Sequence, residues 1–279
     1  MTQDALLQCA DVTVTFPQKR RAERFVAVQH ASLSVGRAQI VGLVGESGSG
    51  KSTLARAVVG LQGVDSGSII FEGKELGNRR TAHDRRGIQM IFQDPYGSLD
   101  PRMSIRATLG ELIRRHTDLR GRDINKRCAE LMDMVQLPGS LLGSRPAGMS
   151  GGQRQRVAIA RALSISPRLL VADEPVAALD VSVQAGIVNL LSDLRDEVGL
   201  SILFISHDLS IVRTLCDRVS VIYRGDIVEE QSCAELFAHP GNDYTKSLLA
   251  AIPRLNGPRT EGLGAGQSLS LQRPRVRTG

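Results

Sequence analysis

The segment GESGSGKST at residues 45–53 places three glycines, a lysine and four hydroxyl residues in the order a phosphate cradle needs. Gly45, Gly48 and Gly50 let the backbone turn its N–H groups toward anionic oxygens, Lys51 adds a point charge for β- and γ-phosphates, and Ser52 can coordinate Mg2+. Farther along, LLVADE ends an apolar run in Asp173 and Glu174. A carboxylate at the end of a buried strand stands at the sheet edge where α/β folds bind ligands. Asp173 is expected to hold Mg2+ through water and Glu174 to polarise the attacking water. Gln93, just past IQMIF, and His207, just past ILFIS, close two further apolar runs. An amide there can reach metal or water, and an imidazole can reach a γ-phosphate. Taken singly, each reads as an ordinary strand-end residue; the constellation is what points to nucleoside triphosphate chemistry.

A second anion-binding element is spelled out by MSGGQRQRVAIARAL at 149–163. Ser150 and Gln153 have the S-x-x-Q spacing of a capping box, which by itself requires nothing more than a well-started helix. Gly151 and Gly152, however, are poor helix formers, each costing up to about 1 kcal/mol relative to alanine. Two of them in a first turn make sense where something must approach the backbone closely. A helix that opens this way offers free N–H groups and a positive dipole end.

These residues need a scaffold, and the patterning supplies one. LLQCADVTVTF, VAVQHASLSV, AQIVGLVG, GSIIFEG, GIQMIFQD, RLLVADE and LSILFISHD read as strands, several of them apolar throughout as buried parallel strands are. STLARAVVGLQ and VQAGIVNLLSDLRDEVG read as helices, and RVSVIYRGDIVEEQ as a late hairpin turning at Arg224-Gly225. Between about 95 and 165 the texture becomes helical, with SIRATLGELIRRH and INKRCAELMDMVQL. Strand–helix alternation with a helical insertion predicts an α/β parallel sheet carrying a helical subdomain.

Composition narrows the classes. The 279 residues are 42 % hydrophobic and 23 % charged, ordinary for a globular chain, with no apolar run long enough to span a membrane and no signal-peptide pattern at the start. The net charge of +6 is mostly a tail effect: Pro253–Gly279 holds five arginines and one glutamate, or +4, leaving about +2 for the rest. That balance gives no support to nucleic-acid binding. Cys9, Cys128, Cys216 and Cys233 are far apart in sequence, as expected of reduced, packed thiols rather than of a zinc or disulfide frame.

In their order, the glycine cradle, SGGQ, VADEP, ALD and SHD resemble the ATPase subunit of an ABC transporter, over residues 5 to about 255. The resemblance implies a P-loop NTPase (RecA-like) parallel-sheet core with an N-terminal antiparallel β subdomain and an inserted α-helical subdomain. It implies a nucleotide-binding domain over 1–233 with the insertion at about 95–165, a C-terminal segment over 234–255 and a disordered basic tail over 256–279. Gly45, Glu46, Ser47, Gly48, Ser49, Gly50, Lys51, Ser52 and Thr53 match Walker A, and Gln93 the Q-loop that contacts nucleotide and metal. Asp173 matches the Walker B metal ligand, Glu174 the catalytic base, Asp180 of Ala178-Leu179-Asp180 the D-loop, and His207 the switch histidine. Ser150, Gly151, Gly152 and Gln153 match the signature that, in this family, covers the nucleotide of a second subunit packed head to tail. For the adenine-stacking aromatic, Phe16 at the end of the first strand is preferred, with Phe25 the alternative. Met149 and Val176-Ala177 depart mildly from the usual pattern without removing a phosphate or metal contact.

FQDPYGSLDPRMS (92–104) and ELFAHPGNDYTKSLLAAIP (235–253) resemble the peptide/nickel importer class, and DPYGSLDPR its F-type ATPase. The resemblance implies ATP and Mg2+ as cofactors and a second ATPase subunit, a D-type paralogue, as heterodimer partner. It also implies two transmembrane permease subunits, an indirect link to an extracytoplasmic solute-binding protein, and a peripheral place on the cytoplasmic face of the plasma membrane. Peptide is the expected cargo; nickel or another solute is the alternative, and an exporter or non-transport ATPase of the same superfamily lies further off.

Overall fold

The computed structural model describes residues 5–18, 24–94, 97 and 99–251. Residues 5–16 and 25–36 pair as β1 (Ala5–Phe16) and β2 (Phe25–Gly36), antiparallel, with Phe16 opposite Phe25 at the end where the chain passes from one strand to the next. The next apolar run, β3 (Ile40–Val44), belongs to a different sheet. It leads through the glycine loop into α1 (Lys51–Val59). β4 (Ser66–Phe71) and β5 (Lys74–Glu75) return to the first sheet, giving the antiparallel order β2-β1-β4-β5. After α2 (Ala82–Gly87), begun by a Thr81–Asp84 capping box, β6 (Ile88–Ile91) enters the second sheet.

The helical insertion consists of α3 (Ile105–His116), α4 (Arg122–Met134), two 3-10 turns (Gly139–Gly143 and Pro146–Gly148) and α5 (Gly151–Leu163). The chain then runs through β7 (Leu169–Asp173), α6 (Val181–Val198), β8 (Ser201–Ser206) and α7 (Leu209–Leu215). β9 (Arg218–Tyr223) and β10 (Asp226–Ser232) form the hairpin expected around Arg224-Gly225. Two helices that the sequence reading leaves unassigned follow, α8 (Cys233–Ala238) and α9 (Asp243–Ala250). The second sheet has the order β10-β9-β3-β8-β7-β6, parallel except where β10 joins β9.

Side-chain alternation explains why this sheet is buried on both faces. From β3, Ile40 and Val44 enter one core while Val41 and Leu43 enter the other; from β8, Ile202 and Phe204 oppose Leu203 and Ile205. The first core joins the sheet to α6 and the helical insertion, and the second joins it to α1 and the antiparallel sheet. Each fully buried aliphatic side chain contributes roughly 1.5–3 kcal/mol, so the sheet is pinned from both sides. Met149 and Val176, the two departures from the usual motifs, sit at 4 % and 3 % exposure in the first core, where apolar side chains belong. All four cysteines are free and buried, and burial pushes the Cys9 thiol up to about 12. No helix among the described residues is long and apolar enough to cross a membrane. The expected basic tail, 256–279, lies outside the described residues, as do Pro95, Tyr96 and Ser98 of the segment at 92–104.

Candidate functional site

Parallel strands send their C-terminal ends to one edge, and β3, β6, β7 and β8 deliver the predicted chemistry there. The loop after β3 bends through Gly48 and Gly50 at φ of 81° and 109°, and a Cβ at Gly50 would lie 2.4 Å from the Ala27 carbonyl of β2. Lys51 is folded into this loop: its Nζ donates to the carbonyls of Gly45 (2.8 Å) and Glu46 (2.7 Å). Burial pulls its ammonium below the usual lysine range, against the opposing pull of Glu174, Asp173 and Glu46. A buried cation satisfied only by carbonyls is poised to exchange them for phosphate oxygens.

Ser52 Oγ donates to Asp173 Oδ1 at 3.0 Å, which joins the start of α1 to the end of β7. Asp173 is 5 % exposed, and desolvation raises its carboxyl above the ordinary range despite the bond from Ser52 and the nearby Arg56 and Lys51. A hydroxyl and a buried carboxylate side by side are a hard-oxygen pair of the kind Mg2+ takes. A divalent cation would also relieve the desolvated charge, so these two residues fit the metal.

Glu174 follows with φ of 48°, a left-handed conformation costly for a residue with a Cβ, and its N–H is tied to the Ile205 carbonyl at 3.0 Å. Gln93 Nε2 donates to Glu174 Oε2 at 3.0 Å, and His207 Nδ1 lies 3.2 Å from Oε1. The ends of β6, β7 and β8 therefore converge on one carboxylate. Gln93, expected also as a metal ligand, has its amide nitrogen on Glu174.

A cavity of about 410 Å3 opens over the loop. Its lining comprises Ser47, Gly48, Gly50, Lys51, Ser52, Thr53, Gln93 and Glu174 together with Ala27, Phe16 and Phe25. Sequence reasoning treats the two phenylalanines as alternatives. They are in fact cross-strand neighbours, which places both side chains on the same face of the hairpin. Phe16 packs against the second core, whereas Phe25 is 51 % exposed. Of the remaining expected residues, Gly45, Glu46 and Ser49 belong to the glycine loop but not to this lining, Asp173 lies behind Ser52, His207 lies behind Glu174, Asp180 is exposed at the start of α6, and Ser150–Gln153 stand at the start of α5.

At α5 the capping box is present in full, with Gln153 N donating to Ser150 Oγ (3.3 Å) and Ser150 N to Gln153 Oε1 (3.0 Å). The first-turn amides that the box does not use are those of Gly151 and Gly152. The close approach inferred from the glycine pair has a partner within the chain. A Cβ at Gly152 would lie 2.4 Å from Val183 Cγ1, and one at Gly151 would lie 3.2 Å from Leu179 Cδ2. Two contacts on the glycine loop have no local signal in the sequence: Gly225 N donates to the Ser49 carbonyl (2.9 Å), and Glu46 N donates to the Tyr244 hydroxyl (3.1 Å).

With this geometry in view, the comparisons are specific. The family model described as ABC transporter matches residues 28–177. The oligopeptide transport ATP-binding protein OppF of Lactococcus lactis is 40 % identical over 262 residues, covering 91 % of this chain and 82 % of its own length. The oligopeptide transport ATP-binding protein AppF of Bacillus subtilis is 42 % identical over 260 residues, covering 90 % and 79 %. The ATP-binding cassette MJ0796, solved as a dimer in a post-hydrolysis state with ADP and phosphate, superposes with a TM-score of 0.71 at 26 % identity, covering 81 % of this chain and 98 % of its own.

Proposed function

The chain belongs to the ABC transporter family and is an ATPase, and we propose that it powers a membrane importer of peptides. The relatives named for oligopeptide transport, at 40–42 % identity over nine-tenths of the chain, support the cargo class. The observation that carries the reading is the Glu174 carboxylate, held between Gln93 and His207 at the edge of a cavity that also contains Lys51.

In this reading the β- and γ-phosphates of ATP take the place of the Gly45 and Glu46 carbonyls at Lys51 Nζ. The loop amides over Ser47–Thr53 cradle the same oxygens, while Phe16 and Phe25 receive the adenine. Ser52 and Asp173 would hold Mg2+, which would supply neutralisation of the negative charge on the β- and γ-phosphates. Glu174 orients water for attack on the γ-phosphorus, and His207 steadies Glu174 and the departing phosphate. Gln93, one end of which is on Glu174, reports the state of the site to the segment that follows it.

The signature residues Ser150–Gln153 stand outside this cavity, which supports a head-to-tail dimer in which the free Gly151 and Gly152 amides meet the partner's nucleotide. Asp180, exposed before α6, faces the same junction. The partner proposed is a D-type paralogue, and the pair is seated on two permease subunits at the cytoplasmic face of the membrane, served from outside by a solute-binding protein. Residues up to 233 form the nucleotide-binding unit, with the insertion at about 95–165, and 234–255 is an appendage of the importer class.

The test is uptake. Cells lacking this chain should lose accumulation of a labelled oligopeptide, with recovery on return of the wild-type chain but not of Glu174→Gln. Unchanged peptide uptake overturns the cargo, and loss of nickel uptake in its place would assign the metal. Full recovery with Glu174→Gln overturns the residue assignment.

A further inference from the structure

The C-terminal helix reaches the nucleotide loop through a single side chain. Tyr244, the second residue of α9, accepts a hydrogen bond at its hydroxyl from the Glu46 N–H at 3.1 Å, across 198 residues of sequence. Its ring lies against Tyr223, with centroids 4.2 Å apart, and the Arg224 guanidinium stands 5.0 Å over the other ring. The helix is itself anchored: Glu229 of β10 accepts from the N–H groups of Gly241 (2.7 Å) and Asn242 (3.1 Å), and Asn242 caps α9 at Tyr244 N (2.8 Å).

The Glu46 N–H and the Gly45 carbonyl belong to one peptide unit. In a planar trans peptide these two groups point in opposite directions. On one side the Gly45 carbonyl accepts from Lys51 Nζ at 2.8 Å, and on the other the Glu46 N–H is held by Tyr244. Gly45, at φ of 156° and placed so that a Cβ there would fall 2.2 Å from the Ile222 carbonyl oxygen, is the residue whose freedom would otherwise let this peptide rotate. We infer that Tyr244 is a positioning residue for the nucleotide site: its hydroxyl fixes the Gly45–Glu46 peptide plane and thereby the place from which Lys51 meets phosphate.

This rests on the nucleotide-binding reading above but makes a separate demand on it. When phosphate draws Lys51 off the two carbonyls, the peptide loses one of its two restraints, and Tyr244 is the one that persists. Without it the loop must be ordered by the ligand, and that ordering lowers affinity. The segment 235–253, which marks the importer class in sequence, thus acts on the P-loop through α9.

The test is Tyr244→Phe, which removes the hydroxyl and leaves the ring on Tyr223. Equilibrium titration of the purified chain with trinitrophenyl-ATP and Mg2+, with Lys51→Ala run in parallel, reads the site directly. Loss of one amide hydrogen bond should weaken binding about three- to tenfold, raise KM for ATP by the same factor, leave kcat unchanged, and lower Tm by no more than the few degrees that one hydrogen bond is worth. Wild-type affinity in Tyr244→Phe beside lost binding in Lys51→Ala overturns the inference alone. Wild-type affinity in Lys51→Ala overturns the nucleotide reading beneath it. Weakened binding with Tm lowered by more than about 5 °C also counts against the inference, because loss of the whole anchorage of α9 would produce it.

Discussion

His207 Nδ1 lies 3.2 Å from Oε1 of Glu174, at the ends of adjacent strands β8 and β7. The other carboxylate oxygen takes a hydrogen bond from Gln93 at 3.0 Å, past the end of β6. Three neighbouring strands therefore spend their terminal polar residues on one group, and a left-handed backbone at Glu174 is maintained to present it. Strain held in place at a strand end by two partners is characteristic of a pre-organised reaction centre.

Replacing Glu174 with Gln keeps the size and both neighbours but removes the negative charge proposed to orient water. Turnover should fall about 10²- to 10⁴-fold, while Mg2+-ATP binding in equilibrium titration stays within twofold of wild type. Turnover within tenfold of wild type would reject Glu174 as the base.

Gly152 illustrates a requirement internal to the fold. Its missing Cβ leaves room for Val183 Cγ1, whose branched side chain has little rotamer freedom with which to retreat. Gly152→Ala should destabilise the chain by about 1–3 kcal/mol, the range for overpacking, in urea unfolding. Adding Val183→Ala should return most of the loss, which places the defect at the contact between α5 and α6. If the double variant is as unstable as the single, steric conflict with Val183 is not the cause.

The legible parts were those that short-range pattern can encode. Apolar runs ending in Gly45, Asp173 and His207 announced both the strands and the sheet edge, because a buried parallel strand writes its own boundary into hydropathy. The Ser150–Gln153 box was readable from spacing alone and is present as expected. The rest depends on tertiary approach. α8 and α9 are short, six and eight residues, and partly polar, so periodicity could not separate them from loop. Nothing near Tyr244 hints at a partner at Glu46, nor anything near Gly152 at Val183. Phe16 and Phe25 read as alternatives from sequence order alone, which hides the hairpin register that makes them neighbours.

That register separates the two rings by what else they do. Phe16 is packed against the core and Phe25 is half exposed, so truncation should split their effects. A base–aromatic stack is worth about 1–3 kcal/mol, so each alanine variant should weaken ATP binding by roughly 5- to 150-fold if its ring carries the base. Phe16→Ala should also lower Tm, whereas Phe25→Ala should leave it unchanged. ATP affinity equal to wild type in both variants would remove the aromatic pair from the site.

The pair is held at its base by Asp65. Its Oδ2 accepts from Thr15 N (2.7 Å) and Thr15 Oγ1 (3.0 Å), and its Oδ1 meets Arg24 at 3.3 Å; Thr15 and Arg24 directly precede Phe16 and Phe25. The Thr15 amide, foremost, and then the Thr15 hydroxyl and Arg24 hold the Asp65 carboxyl below its ordinary value of 3.8. A depressed folded value means the unfolded chain binds the proton more readily, so the stabilisation is present above pH 3.8 and is lost as pH falls through the folded value. Because the side chain is 40 % exposed, solvent screening limits the contribution to about 0.5–1 kcal/mol. Asp65→Asn should therefore unfold at lower urea at pH 7, with the gap from wild type closing as the pH drops below about 4. It should also weaken ATP binding, since the strand ends that carry both rings lose their fastening. A stability gap that stays constant down to pH 3 would show that the charge on Asp65 is not what secures the hairpin.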